Sequence, residues 1–441
     1  MLEAATNELL TNTDSGTPMG ELFRRFWLPV ALSSELPRDA TAPVAVKLLG
    51  EELVAFRDAA GRVGLLDGRC AHRGAALSLG RSEGCGLRCA YHGWQYDVAG
   101  RLIQPEDAPA LAWQPLLRSY PCREAGDLVW AYLGPPERLP PFPEFEWTRL
   151  PPSYRYVGKF RVECNYLQSM EGDYDPTHFA FLHANLDELR GTVDARPVGP
   201  INLNNGIAGR WVLDERTWGR LEDSESGVLC TATEELPDGR FFAGVGALWM
   251  MPIFCTGAVG GTKLHSGNFR VPIDHRSLMF YRLRWSYEPL DAAAVAGYSQ
   301  GGDFYPALLP GSFRPVDNKA NDYNIDRQAQ RQRSFSGIHS FPIQDIAVTE
   351  NQWGPLADRR REHLTSADRQ LTFIRGRLVR AARAMARGDE PPEPWNPEAY
   401  RYHYESAVGD SAEQAVALAK ARARASRIPE AEAVATAFRT G

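Results

Sequence analysis

Four residues of the kind that bind transition metals lie in two short pairs within the first quarter of the chain. The stretch RCAHRGAALSLGRSEGCGLRCAYHGWQYD, residues 69–97, contains Cys70 and His72 and then, after sixteen intervening residues, Cys89 and His92. The 441 residues include only seven cysteines and nine histidines. A chance match to this pattern is therefore on the order of one in ten thousand. Thiolate and imidazole groups at these spacings predict one metal centre held by two loops that meet in the folded chain.

Two kinds of metal centre fit these residues. A structural zinc ion accepts two cysteines and two histidines. A Rieske [2Fe–2S] cluster binds one iron through two thiolates and the other through two imidazoles, so each pair can supply one ligand to each iron. This alternation favours the Rieske cluster. Gly74, Gly86 and Gly93 would let backbone N–H groups approach the cluster sulfurs, and Cys85, which lies between the pairs, is interpreted as a buried small hydrophobic residue.

A second candidate centre lies in NYLQSMEGDYDPTHFAFLH, residues 165–183. His178 and His183 are five residues apart, and on a regular α-helix two such side chains diverge by about 140°. Both reach one metal only if the helix is distorted. The spacing alone leaves two interpretations open. Either both histidines bind a metal, or they are ordinary interior residues of a helix that Asp175 caps and Pro176 begins.

Both stretches resemble the motifs of ring-hydroxylating non-haem iron oxygenases with a Rieske cluster. The pattern C-x-H followed by C-x-x-H-G-W occurs at residues 70–94, and D-x-x-H-x-x-x-x-H occurs at residues 175–183. The resemblance implies that the two cysteines and two histidines of the first stretch bind a [2Fe–2S] cluster. It also implies that His178 and His183 bind a mononuclear Fe(II). The co-substrate at this iron would be O2.

The third iron ligand is expected near residue 345. The segment FPIQDIAVTENQWGPLADRRREHLTSAD, residues 341–368, is similar to the phthalate-dioxygenase-like branch of this family. The similarity implies that Asp345 completes a 2-His-1-carboxylate triad, with Glu350 as the alternative carboxylate. The nearby His339 and His363 are expected to be structural or exposed.

The resemblance gives Asp175 a role between two metal centres. It implies that Asp175 forms hydrogen bonds to His178 and to His92 of a neighbouring chain, an arrangement that requires a head-to-tail homotrimer or stacked trimers. Three polar residues precede this motif. They either support the iron-site helix or lie on its surface, and they are Asn165, Gln168 and Glu171.

The hydrophobic pattern predicts an α+β fold in three parts. Residues 1–35 form an N-terminal segment that packs with the catalytic domain. Residues 36–145, with short strand-like runs and a proline-rich end, form a small all-β Rieske domain. Residues 146–441 form a catalytic domain with an antiparallel sheet flanked by helices, which the resemblance makes helix-grip-like. The longest uncharged run, 245–262, predicts buried strands rather than a membrane helix.

The resemblance implies a terminal oxygenase component that hydroxylates or O-demethylates a small aromatic compound, with an aromatic carboxylate as the expected substrate. Electrons would come from NAD(P)H through a separate flavin/iron–sulfur reductase, with or without a ferredoxin, because the chain has no flavin, NAD or plant-type ferredoxin motif. In the strand-like run at 279–287, Arg282 or Arg284 would bind the substrate carboxylate, although arginines on a strand face are more often solvated.

Composition limits the binding partners and the cellular location that can be expected of the protein. A net charge of −6 offers no basic field for nucleic acid or an anionic membrane, and no signal peptide is evident. Few cysteines, in odd number, indicate a reducing cytoplasm. Two other classes stay open on the residues alone. A Rieske electron-transfer protein leaves most of the chain unexplained, and a zinc-stabilised binding protein would consume no oxygen.

Overall fold

The computed structural model of the chain describes residues 2–39, 41–105, 116–175, 177–186, 219–258, 264–302, 304–425 and 428. In these residues three small sheets precede one large antiparallel sheet, and helices flank the large sheet. The predicted α+β fold, with a small all-β part followed by an antiparallel sheet and helices, is confirmed.

Eleven short strands build the first part of the described chain. Strands β2, β3, β4 and β9 form one sheet in that order, β5 to β8 form a second, and β1, β11 and β10 form a third. Gly61, at a φ of 84°, turns the chain between β3 and β4, where glycine adopts a left-handed conformation without strain. The strands are β1 Trp27–Leu32, β2 Val44–Leu48, β3 Glu51–Arg57, β4 Val63–Asp67, β5 Arg81–Glu83, β6 Gly86–Arg88, β7 Gln95–Asp97, β8 Leu102–Gln104, β9 Ser119–Tyr120, β10 Cys122–Ala125 and β11 Leu128–Tyr132.

The predicted domain boundaries at residues 35/36 and 145/146 remain predictions. Strand β1 lies in the predicted N-terminal segment, yet it pairs with β11, which lies in the predicted Rieske domain. The buried side chains of β1 and β11 also belong to the same hydrophobic core as those of the large sheet. A smaller, separate core surrounds the two cysteines of the first motif and includes Phe56, Leu87 and Tyr96.

The large sheet is antiparallel throughout. Its order is β12-β18-β17-β16-β15-β14-β13, and β19 pairs with β15. The uncharged run at 245–262 forms parts of β15 and β16 as far as residue 258, and residues 259–262 lie outside the described residues. The strands are β12 Arg155–Val162, β13 Arg220–Asp223, β14 Gly227–Glu235, β15 Phe241–Met250, β16 Phe254–Ala258, β17 His265–Asp274, β18 Ser277–Trp285 and β19 Glu405–Gly409.

Helices cover this sheet and position the candidate sites. In α7 the residues Leu371, Ile374, Leu378 and Ala382 recur at helical spacing and are buried, as an amphipathic helix requires. No helix in the described ranges is both long and apolar enough to cross a membrane. The helices are α1 Ala4–Thr11, α2 Pro18–Arg24, α3 Tyr166–Tyr174, α4 Ala292–Gln300, α5 Arg327–Gln332, α6 Phe341–Thr349, α7 Arg369–Ala386 and α8 Ala412–Arg424.

Candidate metal centres

Two loops with the same hydrogen-bond pattern carry the first motif. Cys70 follows β4 and Cys89 follows β6. In each loop the cysteine N–H donates to the carbonyl oxygen five residues later, at 2.9 and 2.7 Å. A glycine N–H four residues after the cysteine donates to the cysteine carbonyl oxygen, at 2.8 Å from Gly74 and 3.1 Å from Gly93. These hydrogen bonds close each loop and use the N–H groups of Gly74 and Gly93. The expectation that the glycines let other backbone N–H groups approach the cluster sulfurs stays a prediction.

The candidate sulfur and nitrogen ligands differ in burial. The cysteine residues Cys70 and Cys89 are 3% and 2% exposed, whereas His72 is half-buried and His92 is exposed. The two imidazole centroids lie 4.5 Å apart, and Trp94 stacks on His72 at 4.7 Å. This arrangement suits a cluster whose thiolate-bound iron is buried and whose imidazole-bound iron lies near the surface.

The donor groups of these loops fit a [2Fe–2S] cluster. Nδ1 of His72 is buried and has no hydrogen-bond partner in the described part of the chain, as a nitrogen that binds iron requires. Burial raises the pKa of the Cys70 thiol, and the Tyr96 hydroxyl, 3.3 Å from its sulfur, acts in the opposite direction. Cys85 is exposed, so its interpretation as a buried residue is wrong. Gly86 lies in β6, where an added Cβ would come within 2.2 Å of a backbone oxygen.

His178, His183 and Asp345 converge at a second centre. One ligand atom of each lies within 4.8 Å of the others, and no other group of three such side chains is found in the residues that the structure describes. Oδ1 of Asp345 lies 3.1 Å from Nε2 of His183 and 3.7 Å from Nε2 of His178. Two imidazoles and one carboxylate are the donor set of a 2-His-1-carboxylate iron site, so these residues fit Fe(II).

The chain between the two histidines is not a regular α-helix. Helix α3 ends at Tyr174, and a 3-10 turn follows at Thr177–Ala180. The N–H of Leu182 then donates to the carbonyl oxygen of His178 at 2.8 Å. This local change of geometry brings His178 and His183 to one point, with their ring centroids 5.0 Å apart.

Gln344 fixes the orientation of His183 and was not predicted from the sequence. Its Oε1 lies 2.6 Å from Nδ1 of His183, and its Nε2 donates to the carbonyl oxygen of Ile338 at 2.7 Å. Phe341 stacks on the same imidazole, with a centroid distance of 3.8 Å. The sequence signal for Gln344 was indirect: a metal-binding histidine almost always has a hydrogen-bond partner on its other ring nitrogen, and Gln344 lies next to the predicted ligand Asp345.

Asp175 lies at the end of α3 and faces His178. Its Oδ1 accepts a hydrogen bond from the N–H of Thr177 at 2.8 Å, and its Oδ2 lies 3.6 Å from Nδ1 of His178. Burial lowers the pKa of His178, but Asp175 and Asp345 outweigh burial and leave this pKa raised. Burial raises the pKa of Asp345, but the two histidines and then Arg282 leave it lowered. The lowered pKa favours the ionised form of the Asp345 carboxylate, which is the form that binds a cation.

The alternative carboxylate, Glu350, is used elsewhere. It is buried at the end of α6, where it accepts hydrogen bonds from the N–H of Glu163 at 2.7 Å and from the Tyr323 hydroxyl at 2.8 Å. Both His339 and His363 are exposed, as expected. Of the two candidate carboxylates, only Asp345 faces the histidines.

Polar residues of α3 anchor this helix rather than lying on its surface. Asn165 caps the helix by accepting from the N–H of Leu167 at 3.1 Å. Gln168 donates to the carbonyl oxygens of Thr349 and Gly354, at 2.7 and 3.0 Å. Its side chain thereby ties α3 to the end of α6, the helix that carries Asp345.

Glu171 completes the anchoring of α3 through buried ion pairs. Its Oε2 accepts from Arg359 at 3.0 Å, and its Oε1 accepts from Arg375 at 2.5 Å. The interpretation that these three polar residues support the iron-site helix therefore agrees with their contacts.

A Rieske part followed by a 2-His-1-carboxylate centre defines a class of protein, the Rieske non-haem iron oxygenases. The family described as "Rieske [2Fe-2S] domain" matches residues 26–121, and the family described as "LigXa C-terminal domain like" matches residues 258–421. The chain belongs to the family of Rieske oxygenase subunits that includes phthalate 4,5-dioxygenase, and it is an oxidoreductase.

Relatives and solved structures support this assignment. The chain is 31% identical over 395 residues to the phthalate 4,5-dioxygenase oxygenase subunit of Pseudomonas putida, with 88% of each chain covered. It is 33% identical over 403 residues to the 5,5'-dehydrodivanillate O-demethylase oxygenase subunit of a Sphingobium species, covering 89% of this chain and 83% of that protein. NdmA of Pseudomonas putida CBB5 with caffeine has the same fold, with a TM-score of 0.57, 20% identity, and 87% and 97% of the two chains covered.

Proposed function

We propose that the chain is the terminal oxygenase component of a multicomponent system that acts on an aromatic carboxylate. It uses O2 and electrons from NAD(P)H, supplied by a separate reductase, to hydroxylate or O-demethylate this substrate. One observation carries the proposal: a single chain contains the two cysteine–histidine loops and a separate convergence of two histidines and a carboxylate. An electron-transfer protein needs only the loops, and a zinc-stabilised binding protein does not need the second centre.

The first centre receives its ligands from the two loops, and the second from residues far apart in the sequence. The cluster supplies single electrons, and the ferrous ion supplies O2 activation. The chain provides geometry: Gln344 orients the imidazole of His183, and Phe341 covers one face of that ring and excludes water from it. The proposed ligands are Cys70, His72, Cys89 and His92 for the cluster, and His178, His183 and Asp345 for the ferrous ion.

The proposed assembly is a homotrimer in which Asp175 connects the centres of neighbouring chains. The exposure of both groups supports this arrangement, because the Asp175 side chain is 28% exposed and His92 lies at the surface. A contact between different surfaces of two copies closes into a ring only when every copy forms it in the same way. A flavin/iron–sulfur reductase, with or without a ferredoxin, and a cytoplasmic location complete the proposal.

Metal analysis tests the proposed function. Anaerobically purified protein should contain about three irons and two acid-labile sulfides per chain, and it should consume O2 when reductase and substrate are supplied. Asp345→Ala should lose one iron and keep both sulfides, whereas the matched variant Glu350→Gln should keep all three irons. If the protein contains two irons per chain and added Fe(II) does not raise this number to three, the result would indicate an electron-transfer protein. Zinc without sulfide would indicate a binding protein.

A further inference from the structure

Strand β18 carries two buried arginines that form no ion pair with a carboxylate of the described residues. Arg282 is 7% exposed and Arg284 is 2% exposed, so the expectation that these arginines are solvated is wrong. Nε of Arg282 and both Nε and Nη1 of Arg284 are buried without an acceptor among the described residues. In contrast, the buried Arg359 and Arg375 both donate to Glu171. Buried cations without a partner are costly, so this pair calls for an anion from outside the described chain.

The two arginines lie on the face of the sheet that α3 covers. Residues two apart on a strand point to the same side, and Arg282 pairs across the sheet with Asn268 of β17. Asn268 donates to Oδ1 of Asp173 at 2.8 Å, and Asp173 belongs to α3. His178 lies only five residues after Asp173, in the chain that follows α3. The arginine pair and the candidate iron centre therefore lie on the same side of the sheet.

Aromatic rings connect the arginine pair to the iron centre. The guanidinium carbon of Arg284 lies 4.2 Å from the ring centroid of Phe304, and that of Arg282 lies 5.6 Å from the same ring. Arg282 also lies 5.7 Å from the ring of Phe341, which stacks on His183 at 3.8 Å. Only one phenyl ring separates the Arg282 guanidinium from an imidazole of the iron centre.

Charge around this face is unbalanced. Arg270 is paired with Asp173 at 2.9 Å. The carboxylate that acts most strongly on Arg282 is Asp345, which the proposed iron would engage. The neighbours that act on Arg284 are the hydroxyl groups of Tyr305 and Tyr298. Burial and then the neighbouring Arg284 lower the pKa of Arg282 to about 10, so it is still cationic at neutral pH. A bound anion would remove this imbalance at the place where the substrate must lie.

We propose that Arg282 and Arg284 bind the carboxylate of an aromatic substrate, whose ring lies against Phe304 and Phe341 beside the iron centre. A guanidinium presents its N–H donors in a planar fork that matches a carboxylate, and aromatic side chains favour an aromatic ring. The assignment of the reaction rests on the proposed function, but binding of the acid does not require turnover.

Equilibrium binding in the absence of reductase tests this proposal. Benzoate, phthalate and 3-phenoxybenzoate are titrated by calorimetry into anaerobic protein with an intact cluster, each beside its neutral amide. At least one acid should bind, and its amide should bind at least ten-fold more weakly. Arg282→Gln and Arg284→Gln should each weaken binding of that acid by roughly 10- to 100-fold, the range expected for a hydrogen bond to a charged group, and leave the amide unchanged.

Two further variants separate binding from a structural role. Arg380→Gln, at a side chain that is 65% exposed on α7, should bind the acid like the wild type. Arg375→Gln should lower the Tm because it breaks buried ion pairs, whereas Arg282→Gln and Arg284→Gln should not lower it. Equal binding of acids and amides by the wild type, wild-type acid binding by both β18 variants, or a Tm loss that explains their weaker binding would each overturn the proposal. If the protein binds the acid more tightly than its amide but consumes no O2, this result would contradict only the proposed function.

Discussion

Replacement of Gln344 by leucine should weaken metal binding at the second centre and leave the Rieske cluster unchanged. The amide Nε2 of Gln344 donates to the Ile338 carbonyl oxygen, so its Oε1 is the atom that faces Nδ1 of His183. Because this oxygen only accepts, His183 must carry its proton on Nδ1. Its Nε2 then faces Asp345 with a lone pair ready for a metal.

The size of the effect follows from these two contacts. Loss of the group that orients a metal-binding imidazole weakens metal affinity by roughly 10- to 100-fold, or about 1.4 to 2.8 kcal/mol at 25 °C. Leucine also leaves the buried Ile338 carbonyl oxygen without its donor, which should reduce the free energy of unfolding by about 1–3 kcal/mol. Gln344→Glu keeps an acceptor for His183, loses the donor to Ile338 and adds a negative charge, which raises the basicity of the imidazole and should not weaken its binding to a metal.

Anaerobic titration with Fe(II) of protein depleted of its mononuclear iron measures this affinity, and cluster absorbance in the same sample serves as the internal reference. Gln344→Leu should lose metal affinity and stability, whereas Gln344→Glu should lose stability and retain metal affinity. The matched control is Gln352→Leu, at an exposed glutamine shortly after α6. The reasoning fails if Gln344→Leu binds Fe(II) as tightly as the wild type, or if both Gln344 variants lose affinity equally.

Two other substitutions probe the surroundings of the iron centre. Asp175→Asn should keep an intact cluster spectrum but show little O2 consumption, because an amide cannot connect two histidines as a carboxylate does; normal turnover would refute the bridging role. Glu171→Gln should reduce the free energy of unfolding by roughly 3–5 kcal/mol in urea titrations at neutral pH, because it removes the nearest carboxylate of buried Arg359 and leaves Arg375 paired with Glu362 alone. Burial raises the pKa of Glu171, but the two arginines outweigh burial and leave it lowered, so its contribution is complete above its ordinary pKa of about 4.3 and disappears as pH falls through the folded value. The difference in the free energy of unfolding between variant and wild type should therefore become smaller at acidic pH. A difference that is independent of pH would contradict this account.

Local sequence was sufficient for the features that one short stretch encodes. The two cysteine–histidine pairs each belong to a single loop, so their spacing limits where the ligands can lie relative to each other. The same holds for His178 and His183, although spacing alone left their role open because a regular helix would separate them. The 3-10 turn that brings them together depends on how the chain leaves α3, which no periodicity in these few residues reveals.

Contacts between distant residues required the folded chain. Asp345 and Glu350 are carboxylates on one helix, and only the packing of α6 against α3 turns Asp345 to the histidines and Glu350 to Tyr323. Arg282 and Arg284 alternate with apolar residues, a pattern typical of a strand with one wet face, yet α3 and Phe304 cover that face. Hydrophobic periodicity reports which side chains share a face, but the burial and charge partners of that face depend on what packs against it.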